Sequence, residues 1–167
     1  MIQLALAAMT ALQASTMTVT PTPSPTATER TAVVAEPIAT SPEHIARARV
    51  ALENGEFDVA RREFVIAVAI DRDEGKLATE ASFGLARVLF AQSYNREAAS
   101  VLERLAADAS TAGDVDTEAK ALLDAMWLNI DAKQRSQARA DGWRLRELLK
   151  DNRLSNETRK RIISHVS

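Results

Sequence analysis

From Ser41 to the end of the chain, apolar residues return every three or four positions, which is the spacing of amphipathic helices. Ser41-Pro42-Glu43 opens the series. Serine caps a helix N-terminus, proline suits the first helical position, and glutamate favours the positive end of the helix dipole. That helix runs to about Asn54, where Asn54-Gly55 supplies the left-handed residue that stops it. A second helix, over residues 57–70, aligns Phe57, Ala60, Phe64, Ala67 and Val68. Its β-branched stretch at residues 64–70 also fits a strand, so this segment has an alternative reading.

A third helix over residues 75–92 carries two apolar stripes. One is Leu77, Ala81, Leu85, Val88 and Leu89, and the other is Phe83, Ala86 and Phe90. Apolar faces on two sides mark a helix packed between neighbours. Asn95 caps a fourth helix with Ala98, Leu102, Leu105, Ala106 and Ala109 inward, closing at Ala112-Gly113. The fifth has the clearest pattern: Ala119, Leu122, Leu123, Met126, Trp127 and Ile130. Ser136 caps a sixth that ends near Lys150 with Leu145, Leu148 and Leu149 inside, and Ser155 caps a short seventh carrying Ile162, Ile163 and Val166. Seven helices with short joints and no strand predict an all-α fold of stacked antiparallel hairpins over residues 41–167.

Two segments precede it. Residues 1–14 are apolar apart from Gln3, Thr10 and Gln13, with the length of a signal-peptide core and a small residue, Ala14, at the cut position. No Lys or Arg precedes the run, and the alternative is an N-terminal helix that docks or frays. Residues 15–40 are rich in Thr, Pro, Ala and Ser, with Pro21, Pro23, Pro25 and Pro37 blocking helix, and they read as a disordered linker. Export, to the periplasm or beyond, is the expected location, with the cytoplasm as the alternative.

Composition narrows the function. A formal net charge of -2 and pI ≈ 5.8 lack the basic excess of a nucleic-acid binder. The absence of cysteine removes disulfides, thiol nucleophiles and Cys-based zinc sites together. No phosphate loop, nucleophile elbow or His-Glu-x-x-His occurs. Asp71, Asp73 and Glu74, and again Asp114, Asp116 and Glu118, are read as helix-start residues rather than metal ligands, and no carboxylate pair is marked out by an apolar setting. His44 and His165 read as surface residues. The expectation is a protein that is not an enzyme and uses no cofactor, metal, nucleic acid or small-molecule substrate.

Gly55-Glu56-Phe57-Asp58-Val59-Ala60, followed by Phe64 and Ala67, resembles the second half of a tetratricopeptide repeat, with Ala48 at the small crossing position. The pattern returns about 38 residues later with Ala86 at the crossing and Ser93 in place of the glycine, followed by Ala98, Leu102 and Leu105. A third echo places Met126 at the crossing, then Ala138 and Leu145, with Gly142 where a bulky residue is expected unless Trp143 takes that role. The spacing exceeds the family's usual one, and its tryptophan and closing proline are missing. The resemblance implies a concave face built from the first helix of each hairpin. It would bring together Ile45, Arg49 and Leu52; Phe83, Arg87 and Phe90; and Leu123, Trp127 and Ile130. Arg49, Leu52, Phe83, Arg87, Phe90, Trp127 and Ile130 are therefore the candidate partner-binding residues of an adaptor or scaffold for a protein or peptide. The alternative is a structural subunit that self-associates, as a homodimer for example, through the Trp127 and Trp143 region and the last helix.

Overall fold

The computed structural model describes residues 39–166. The signal-peptide reading and all but the end of the linker reading fall outside them. The described chain forms α1 (Ser41–Glu53), α2 (Phe57–Asp73), α3 (Thr79–Ala91), α4 (Asn95–Ala112), α5 (Val115–Asp131), α6 (Arg135–Leu148) and α7 (Asn156–Val166). No strand occurs among the described residues. Residues 64–70 are helical, with Phe64 and Ala67 buried and the β-branched Val65 and Ile66 turned outward.

Several boundaries shift, each for a local reason. Thr40, not Ser41, is the cap of α1: its backbone is extended, and its N–H donates to the Glu43 carboxylate at 2.9 Å, one arm of a capping box. Gly75 adopts φ 68 and stops α2, so α3 begins at Thr79. Asp71 and Asp73 consequently lie not at a helix start but in the last turn of α2, where a negative charge opposes the dipole. Cations answer locally: Arg72 pairs with Asp108 at 2.9 Å, and Lys76 with Glu74 at 2.6 Å. Asp114 does cap α5, accepting from the Thr117 N–H at 3.0 Å.

The five hairpin joints are built alike. Gly55, Gly75, Ser93, Gly113 and Lys133 all take positive φ, between 60° and 76°, at intervals of 18 to 20 residues. In each, the next N–H reaches back to a carbonyl five residues earlier: Glu56 to Ala51, Lys76 to Asp71, Tyr94 to Leu89, Asp114 to Ala109 and Gln134 to Asn129. This is the Schellman closure, which satisfies carbonyls the helix end would leave bare. Ser93 therefore does the work of the glycine it replaces, and Lys133 does the same in the third echo.

Successive helices pack pairwise, α1 also touches α3, and α7 closes on α5 and α6. The core is rich in alanine: Ala48, Ala60, Ala67, Ala81, Ala98, Ala109, Ala119, Ala121 and Ala125 are fully buried. Small side chains let helix axes approach, and larger ones are matched by gaps opposite them. Phe64 lies over Gly84, where an added Cβ would overlap its ring. Met126 is matched by the buried Gly142, whose Cβ position lies 3.5 Å from the Met126 Sδ. Trp143 does not take the bulky role in the third echo, because it is 62% exposed.

Candidate functional site

α3 and α5 do not pack closely against each other, and the space between them is an open trough with a volume of about 430 Å³. Its walls follow from helical spacing. α3 contributes Phe83, Ala86, Arg87 and Phe90, while α5 contributes Asp124, Trp127, Leu128 and Asp131. Both sets run i, i+3, i+4, i+7, the pattern of one helix face. Leu102 of α4 also lines it. Phe90 and Trp127 remain 53% and 45% exposed, as side chains lining an open surface do.

Charge is divided across the trough. Arg87 on the α3 wall is exposed and makes no ion pair with another described residue. On the α5 wall, burial raises the Asp124 carboxyl above its ordinary pKa, opposed by Arg161 of α7, whose guanidinium lies 3.3 Å away. Asp131 is exposed. His165, also on α7, meets the Trp127 ring edge-on at 5.6 Å and 88°, which fixes one side of the indole.

Of the seven residues expected to bind a partner, Phe83, Arg87, Phe90 and Trp127 line this trough. The other three do not. Leu52 is half-buried and packs on the hydrophobic core, and Arg49 pairs with Glu80 at 2.5 Å on an exposed stretch of surface. Ile130 lines a separate groove with Met126, Lys133 and Arg139. Ile45 and Leu123, expected on the concave face, are core residues. Aligning the repeats placed Leu123, Trp127 and Ile130 in register; the face of α5 that opens is rotated toward Asp124 and Asp131. Those two aspartates were missed, although their i and i+7 positions around Trp127 and Leu128 carried the signal.

The histidines divide. His44 is not a free surface residue: its Nδ1 lies 2.7 Å from the Glu63 carboxylate, tying α1 to α2, with 13% of its side chain exposed. A buried polar knot was also unforeseen. The Asn129 side-chain amide donates to Glu103 at 2.8 Å and to Asp141 at 2.9 Å, joining α4, α5 and α6. Burial, with the Glu103 charge adding to it, raises the Asp141 pKa to about 6 against the pull of the Asn129 hydrogen bond. Asp141 stands i, i+4, i+7 with Leu145 and Leu148, so its buried place was visible in the spacing. Among the described residues, no group of three or more His, Cys, Asp or Glu side chains could hold a metal ion. No described helix is long and apolar enough to cross a membrane.

The chain matches no family model, no curated protein and no solved structure.

Proposed function

We propose that the chain is a non-catalytic adaptor or scaffold of tetratricopeptide-like design that holds a peptide or helix of another protein in the α3–α5 trough. The observation that carries this reading is the pair of facing helix tetrads. They set an apolar middle of Phe83, Phe90, Trp127 and Leu128 between Arg87 on one wall and Asp124 and Asp131 on the other. Aromatic and arginine side chains dominate binding energy at protein interfaces. A groove with opposite charges on its two walls orients a segment that carries an apolar anchor flanked by one acidic and one basic residue. The expected export of the protein rests on residues 1–14 alone.

The test is selection of short random peptides by display on the full-length chain. Enrichment of an aromatic or aliphatic anchor with an acidic neighbour is expected, and Arg87→Glu and Trp127→Ala should each weaken the selected peptide by roughly tenfold or more. Selected peptides that bind both variants as tightly as the wild type would place the site elsewhere.

A further inference from the structure

The outer face of α6 differs in character from the rest of the molecule. α6 packs closely only on α5 and α7, and buries Asp141, Gly142, Leu145 and Leu148. Away from that face, positions 135, 139, 143, 146 and 150 recur at steps of four, four, three and four, which places them in one stripe. They are Arg135, Arg139, Trp143, Arg146 and Lys150, and all five are exposed. Residues 133–150 hold six basic and two acidic side chains in a chain whose net charge is -2. One of those acids, Asp141, is buried in the polar knot, and the other, Glu147, pairs with Lys150 at 2.8 Å. Beside the stripe, Ile130 is 46% exposed in a groove with Lys133, Arg135 and Arg139.

A bare charge stripe would read as a solvated helix face. What sets this one apart is Trp143 among its cations: an indole 62% exposed contributes nothing to the core and gains free energy by leaving water. We infer that this face of α6 docks on a lipid bilayer containing acidic headgroups. The helix would lie in the plane of the surface, its arginines and Lys150 meeting headgroup phosphates and Trp143 entering the boundary between headgroups and acyl chains. Tryptophan favours that boundary because its ring is apolar while its N–H still needs a partner. Arginine and lysine stems lie along apolar surface while their charged ends stay at phosphate level. A bilayer fits better than a nucleic acid because bases can stack on Trp143 but offer nothing to the aliphatic Ile130, whereas hydrocarbon answers both. The trough between α3 and α5 takes no part, so one molecule could hold a partner and sit on a surface.

The test is flotation of the full-length chain with vesicles of phosphatidylcholine alone and of phosphatidylcholine containing phosphatidylglycerol. Residues 1–14 hold no charged side chain, so the anionic-over-neutral preference reports the basic surfaces of the chain, and substitutions on α6 assign it to that helix. The wild type should prefer anionic vesicles, and neutralising Arg135 or Arg139 with glutamine should cut that preference roughly fivefold each. Raised salt should do the same. In a Trp127→Phe background, where Trp143 is the sole tryptophan, its emission should shift to the blue on anionic vesicles and be quenched by brominated lipid. Equal binding to both vesicle types, or a preference kept by the Arg135→Gln/Arg139→Gln variant, would overturn the inference. So would tighter binding to single-stranded DNA or polyglutamate than to anionic vesicles, or a doubled solution mass that Trp143→Ala abolishes.

Discussion

Replacing Asp141 with asparagine should make this protein more stable at neutral pH, and only there. The carboxylate is 6% exposed and shares the amide of Asn129 with Glu103, so two negative charges face one pair of N–H donors. Its pKa is about 6 in the folded chain, against 3.8 for the unfolded one. Below pH ~4 both states hold the proton. Between about 4 and 6 the folded state keeps a proton that the unfolded state releases, so stability falls as pH rises; above about 6 it is flat at its lowest. The difference of roughly two pKa units corresponds to about 3 kcal/mol at neutral pH. Asparagine removes the ionisation, preserves the volume and keeps an acceptor for the Asn129 amide. It also offers a donor, which the buried Asn129 Oδ1 lacks among the described residues. Part of the gain is lost because a neutral acceptor bonds more weakly than a carboxylate, which leaves an expected stabilisation of about 1–2 kcal/mol. Urea unfolding followed by circular dichroism, at about pH 7.5 and about pH 4, measures it. Taking the difference between variant and wild type cancels the titrating groups that do not interact with Asp141. A variant less stable than the wild type at neutral pH, or a gain equal at both pH values, would refute the reasoning.

Other outcomes follow from the same packing. Arg144→Met should destabilise by about 2 kcal/mol in urea, because Glu118, whose side chain is 6% exposed, would lose its 2.7 Å partner; the double variant with Glu118→Gln should recover most of the loss. Gly84→Ala should lower the melting temperature despite a gain in helix propensity, since the new methyl overlaps the Phe64 ring. Phe64→Leu in that background should restore part of it, which a purely local effect at Gly84 would not allow. Ser93→Gly and Lys133→Gly should each stabilise by roughly 0.5–1 kcal/mol, since both positions are left-handed and glycine adopts that conformation without a Cβ penalty. Unchanged or lowered melting temperatures in both would show that their side chains contribute more than their backbones cost.

Local chemistry alone settled the helices. The heptad-like recurrence in α4 and α5 placed Leu102, Leu105, Ala119 and Leu123 in the core without reference to any neighbour, because a helix buries whichever stripe is apolar. The repeat spacing was visible too, through Gly55 and its equivalent Ser93, since a Schellman joint depends on one backbone angle and the turn before it. Boundaries were less legible: Ser41 is a good cap by residue type, but the extended backbone at Thr40 and its bond to Glu43 make Thr40 the cap. Tertiary packing decided what no periodicity contains. Leu123 and Trp127 stand one turn apart on the same helix, yet the first is buried and the second borders a trough, where α7 meets its ring. Spacing puts Asp141 on the buried stripe of α6, but its raised pKa arises only where α4 and α5 close over it. A sequence states which face of each helix is apolar; how far two helices stand apart, and so whether an apolar face becomes core or groove, depends on the sizes of all the side chains between them.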